Sequence, residues 1–133
     1  MNMDSRDKHQ TGKNHHLLQA MGHAVDGIIT MLREERNMRY HTLAAVLALL
    51  VGWLLKVDAN EWLWLLLVIF LVFAAEFLNT VTEAVTDLLV SHHYNVEVKK
   101  AKDVAAGGVL IAACFAVLVG LIIFVPRIIN LIR

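Results

Sequence analysis

The stretch that decides the fold is "WLWLLLVIFLVFAAEFLNTVTEAVTDLL", residues 62–89. Its first 14 residues are apolar without exception, and the remainder carries Glu76, Asn79, Thr80, Glu83 and Asp87. An ordinary membrane helix would end after Ala75 with a Lys, an Arg or a turn. None of these follows, so the pattern predicts a helix that runs straight from an apolar core into three carboxylates. At about 100° per residue, Glu76, Glu83 and Asp87 fall within some 40° of one another, with Asn79 nearby. One face of one helix carries a ladder of acids.

The rest of the chain sets the context for that ladder. It has 133 residues, an apolar fraction of 58% and a mean hydropathy of +0.59, which fits one domain rich in buried or lipid-facing surface. Twelve basic and twelve acidic side chains cancel, which gives no reason to expect a nucleic-acid partner. The single cysteine, Cys114, excludes an intrachain disulfide. Residues 1–16 are polar throughout and read as a disordered tail rather than a cleavable leader, leaving 17–133 as a single integral-membrane domain.

Three segments lack charge: 40–55, 62–75 and 104–125, with 16, 14 and 22 residues. A spanning helix needs about 20 residues. The third meets that outright, the first by snorkelling of Arg39 and Lys56, and the second only by including Glu76 and Asn79. A soluble helical bundle would have too little polar surface to cover three such runs. Residues 17–39 differ, because Leu18, Met21, Val25, Ile28 and Leu32 recur at spacings of three and four among polar residues. That predicts an amphipathic surface helix. Nine Lys and Arg precede the first and third spans, against three in the 56–61 turn and the C-terminus. The N-terminus and the 88–103 loop are therefore expected in the cytoplasm and the C-terminus outside, as for a multi-pass protein of the plasma (inner) membrane.

With Trp62 at the outer interface, Glu76 lies about 21 Å into a hydrocarbon core of about 30 Å, and Glu83 reaches the far boundary at about 31 Å. Intramembrane carboxylates need partners, protonation or water. A polar packing seam between helices is one explanation. Two further features favour chemistry: Glu35, in "REERNMR" (33–39), opens the first span, and "KKAKD" (99–103) opens the third on the same membrane side. Two carboxylates at a boundary suit Mg²⁺, which takes its remaining ligands from phosphates and water. Lysines there would neutralise phosphate oxygens, and a deeper carboxylate suits a general base for a hydroxyl held at membrane depth. Together these parts describe phosphoryl transfer from a cytosolic nucleotide to a membrane-dissolved alcohol. The chain has neither GxxxxGK[ST] nor the protein-kinase motif set. The rival reading is a non-catalytic transporter or assembly subunit using Glu76 as a proton or cation site.

Glu76-x-x-Asn79-Thr80-x-x-Glu83-x-x-x-Asp87, followed by Lys99-x-Ala101-Lys102-Asp103, resembles the signature of the prokaryotic diacylglycerol kinase family. The resemblance covers roughly residues 17–125. It implies an all-α homotrimer, with three transmembrane helices and an N-terminal amphipathic surface helix per chain and active sites shared between protomers. It implies Glu76 as catalytic base, with Glu35 and Glu83 binding metal and nucleotide. Lys102 and Asp103 would contact ATP, as would His23, which stands where other members have Tyr. Asn79, with Asp87 and Lys99, would arrange the site. Gram-negative-type members have Arg where this chain has His16 and Ser where it has Ala106. "VAAGGV" (104–109) instead resembles the Gram-positive-type branch, whose acceptor is typically undecaprenol, with diacylglycerol the alternative. The loop 91–95 is one residue longer than the common pattern, which leaves Tyr94 and Asn95 without a role.

Overall fold

A computed structural model describes residues 17–90 and 95–133. The predicted tail, His16 and Tyr94 lie outside the described residues. Four helices follow in order: α1 (Leu17–Glu34), α2 (Arg36–Leu54), α3 (Ala59–Val90) and α4 (Val96–Ile132). The chain divides into two compact units between Glu34 and Glu35; α1 belongs to the first, and α2–α4 form the second, Glu35–Arg133.

In α1 the predicted amphipathic pattern is realised, but the helix stops five residues short of the expected end at 39. Glu35 takes an extended backbone (φ −90°, ψ 112°) and separates α1 from α2. No Gly or Pro marks the break, whereas Gly22 and Gly27 lie inside the helix, with nothing within 4 Å of where a Cβ would stand.

Helix α3 continues unbroken for 15 residues past Ala75, as its pattern predicts. Its buried positions are Leu65, Val68, Val72, Glu76, Asn79 and Thr86, a seam with steps of three, four and seven residues. Helix α4 packs along α3 far more extensively than α2 does. Val57, Leu65, Val68, Val119 and Ile123 form the apolar core, with Leu55, Trp62, Ala116 and Phe124 packed around it. The most apolar windows of α3 and α4 are only 28% and 11% buried. That is the reverse of a soluble core helix, and large side chains such as Phe70, Leu110, Ile111 and Ile122 point outward. Both helices are long and apolar enough to cross a membrane. The 19 residues of α2 include Arg36, Asn37, Arg39 and His41 in the first two turns, so only its later part is continuously apolar.

Threonines inside these helices illustrate how apolar surroundings are managed. Thr42, Thr82 and Thr86 each donate to the carbonyl four residues earlier, at 2.8, 2.7 and 2.7 Å. This back-bonding satisfies a hydroxyl with no neighbour required.

The turn between α2 and α3 is built differently. Val57 N–H donates to Gly52 O (3.1 Å) and Lys56 N–H to Trp53 O (3.2 Å), with Lys56 in the left-handed region at φ 51°. These are the two bonds of a Schellman motif, with lysine where glycine is usual. Trp62 packs over Gly52: a Cβ on Gly52 would stand 3.1 Å from the indole ring. Trp53 and Trp64, at 69% and 46% exposure, face outward.

Candidate active site

The seam of α3 places Glu76 where an apolar residue would otherwise sit. Its side chain is 1% exposed, and Asn79, one turn on, is 7% exposed. Asn79 Nδ2 donates to Glu83 Oε1 at 3.0 Å, so two rungs of the acid ladder are joined along the helix. The Glu76 carboxylate meets the Asn37 side chain from α2 and feels His41, Glu35 and Glu83 electrostatically. Of these groups only His41 can carry a positive charge. Glu35 makes no side-chain capping bond to α2 despite standing at its N-cap.

Three oxygens in this turn of α3 are buried without a hydrogen-bond partner: Glu76 Oε2, Asn79 Oδ1 and Thr80 Oγ1. Buried polar atoms in folded proteins are nearly always paired, and each exception needs an explanation. Thr80 differs from Thr42, Thr82 and Thr86 in having no such bond to its own backbone. All three atoms can accept a donor or face a cation. The oxygens of Glu35, Glu76, Asn79, Thr80 and Glu83 make a hard donor set, which fits Mg²⁺. Among the described residues, no three His, Cys, Asp or Glu side chains converge to hold a metal by themselves. A cation here would need ligands from its nucleotide.

The basic residues of α4 lie one step outward. Lys102 donates to Asp87 Oδ1, tying α4 to the last rung of the α3 ladder. Lys99 pairs with Asp103 one turn along α4. These pairs are largely exposed, so they hold geometry at little energetic gain and exchange readily. Asn95, left without a role by the sequence, is the N-cap of α4: its Oδ1 accepts from Glu97 and Val98 N–H at 2.9 and 3.3 Å.

The second unit thus brings together Glu35, Glu76, Asn79 and Glu83, and joins Asp87 to Lys102 and Lys99 to Asp103. His23 stands exposed on α1, in the other unit. Asn37 and His41 were not singled out as site residues. Their signal in the sequence was their place on the first turns after Glu35, four residues apart and so on one helix face.

A groove of about 290 Å³ runs between α2, α3 and α4. Ala44, Ala48, Ile69, Phe73, Ala113 and Gly120 are among its walls, and His41 is the one polar residue lining it. The groove therefore ends at a group that acts on Glu76. Among the described residues, a Cβ added at Gly107 or Gly108 would meet nothing within 4 Å. The narrow face they give α4 is separate from the groove.

Helices that turn apolar surface outward, enclosing a buried carboxylate bordered by acids and lysines, define a helical membrane enzyme. The sequence profile of prokaryotic diacylglycerol kinase matches residues 22–124. The chain belongs to the prokaryotic diacylglycerol kinase family. It is 38% identical over 125 residues to the undecaprenol kinase of Bacillus subtilis, spanning 94% of this chain and 99% of that protein. It is 38% identical over 115 residues to a diacylglycerol kinase of Synechocystis, covering 86% and 66% of the two chains. It is 31% identical over 102 residues to the diacylglycerol kinase of Escherichia coli K12, covering 77% and 83%. The chain is a lipid kinase of the membrane.

Proposed function

We propose that the chain phosphorylates undecaprenol in preference to diacylglycerol, at the cytoplasmic face of the plasma membrane. The single observation that carries the chemistry is the buried, half-unpartnered Glu76 carboxylate, which feels His41, the one polar residue lining the apolar groove. In this reading Glu76 takes the proton of the lipid hydroxyl as its oxygen attacks the γ-phosphorus. The bond from that phosphorus to the bridging oxygen breaks, and ADP leaves. Glu35 and Glu83 would hold Mg²⁺ with the nucleotide, and the ion would supply neutralisation of phosphate charge. Lys102 and Lys99 exchange their carboxylates for phosphate oxygens. Asp103 and His23 contact the nucleotide, while Asn79 and Asp87 orient Glu83 and Lys102.

Residues 17–133 act as one domain, with α2, α3 and α4 as three spans and the N-terminus in the cytoplasm. A homotrimer, with Gly107 and Gly108 open to a second chain, gives each site groups from a neighbour.

The acceptor follows from what the site offers. Undecaprenol is a hydrocarbon ending in one hydroxyl, and the groove is apolar with one polar group at its end. Diacylglycerol carries two esters, and Ala106 brings no hydroxyl to meet them. A site lacking donors discriminates weakly, so diacylglycerol remains a poorer substrate rather than an excluded one. The name of the Bacillus subtilis relative, matched over almost its whole length, supports the choice. Competition between the two lipids at equal mole fraction in one mixed micelle, with labelled ATP, tests it. Undecaprenyl phosphate should form faster; faster formation of phosphatidic acid overturns the acceptor, and no labelled lipid at all overturns the kinase.

A further inference from the structure

The turn between α2 and α3 is fastened by one residue from the far end of α4. Arg127 Nε donates to Glu61 Oε1 at 3.2 Å, and its Nη2 donates to Glu61 Oε2. The same guanidinium lies 3.6 Å from Asp58. Its Nη1 donates to the backbone carbonyls of Lys56 at 3.1 Å and Leu55 at 3.4 Å. These carbonyls follow the last turn of α2, where the helix dipole is negative and acceptors lack intrahelical donors. Asp58 and Glu61 are themselves a reciprocal cap. Asp58 Oδ1 accepts from Asn60 and Glu61 N–H, and Glu61 Oε2 accepts from Asp58 N–H. One side chain therefore closes the end of α2 and the start of α3 onto α4.

The consequence lies at the other end of α2. Along its middle, α2 borders the apolar groove rather than a filled interface, and it packs less extensively on α3 than α4 does. It is held at its two ends. One end is the Arg127 clasp, and the other is the meeting of Asn37 with Glu76, which His41 also influences electrostatically. A helix transmits an axial slip along its whole length. Leu55, at the clasp, and Asn37 are 18 residues apart, or about 27 Å along α2, so a slip at the clasp displaces the groups that face Glu76. Misplacement by about 1 Å of groups that position a reaction can cost about 10²-fold in rate.

We propose that Arg127 is a positioning residue for phosphoryl transfer: it sets the height at which α2 presents Glu35, Asn37 and His41 to Glu76. This rests on the kinase reading above, and the experiment separates the two. The full chain, wild type and with Arg127→Met, Arg127→Lys or Glu61→Gln, is assayed in mixed micelles, and its thermal unfolding is measured in the same detergent. Arg127→Met lowers kcat at least fivefold at a temperature well below its own unfolding, with KM for ATP within twofold of wild type. Glu61→Gln acts in the same direction, and Arg127→Lys recovers part of the loss. The double variant Arg127→Met, Glu61→Gln loses no more than the larger single variant, because both remove one clasp. If Arg127→Met does not accumulate, Glu61→Gln and Arg127→Lys carry the same comparison. Unchanged kcat with a lowered unfolding temperature would reduce Arg127 to a structural fastener and overturn the proposal. An inactive wild-type chain would instead refute the kinase assignment, whatever the variants do.

Discussion

The turn at the start of α3 and the middle of that helix handle charge in opposite ways. At the turn end, Asp58, Glu61 and Arg127 exchange hydrogen bonds with one another and with backbone groups. In the middle Glu76 and Asn79 are more deeply buried, yet Glu76 Oε2, Asn79 Oδ1 and Thr80 Oγ1 are left without partners. If stability alone shaped the helix, an apolar residue at position 76 would fill the seam and remove a costly buried carboxylate. The difference teaches that one region holds the structure and the other is kept for chemistry, where local rules are broken at functional sites and compensated elsewhere.

The largest expected effect breaks the site without touching the fold. Glu76→Gln keeps size and hydrogen bonding but removes the base, so turnover falls by about 10²–10⁴-fold. Its unfolding temperature stays at or above that of wild type, and equilibrium binding of ATP is retained. Next come Glu35→Gln and Glu83→Gln. Each raises the Mg²⁺ and ATP concentrations needed for half-maximal rate by about tenfold, as for loss of a ground-state contact worth about 1.4 kcal/mol. Comparable losses of nucleotide affinity in all three variants would erase the distinction between base and metal ligands.

The turn end answers to stability rather than ligand concentration. Gly52→Leu drives side-chain atoms into Trp62, whose ring stands 3.1 Å from the first added carbon. Overpacking of this kind costs about 1–3 kcal/mol and lowers the unfolding temperature in detergent. The smallest effect has the opposite sign. Lys56 is a non-glycine residue at φ 51°, a conformation costing a residue with a Cβ roughly 1 kcal/mol or more. Lys56→Gly therefore raises stability by about 0.5–1 kcal/mol after its own greater unfolded-state entropy is deducted. A decrease would mean that the lysine side chain contributes more than the backbone strain removes.

The same division governs what the sequence disclosed. The continuity of α3 and the common face of Glu76, Glu83 and Asp87 were legible because both follow from one helix and its period of 3.6 residues. The cross-links from other helices were not. Asn37 meets Glu76, and His41 acts on it electrostatically, through tertiary packing that no spacing within α3 encodes. Arg127 counted only as one positive charge near the C-terminus, although Asp58 and Glu61 already carried the acid-x-x-Glu pattern of a helix start. The break at Glu35 gave no Gly or Pro to mark it. Nor did the sequence show that a glycine ten residues before Trp62 makes room for its ring.

That last contact gives the protein a built-in optical label. Three tryptophans sit within twelve positions of one another, and only Trp62 is shielded by a neighbouring helix. Trp53 and Trp64 turn outward and are open to a quencher dissolved in the surrounding detergent or lipid. Emission that survives saturating lipid-phase quenching comes from Trp62 on its glycine shelf. It therefore reports whether α2 and α3 are still joined at the turn, with no dye attached and no residue changed.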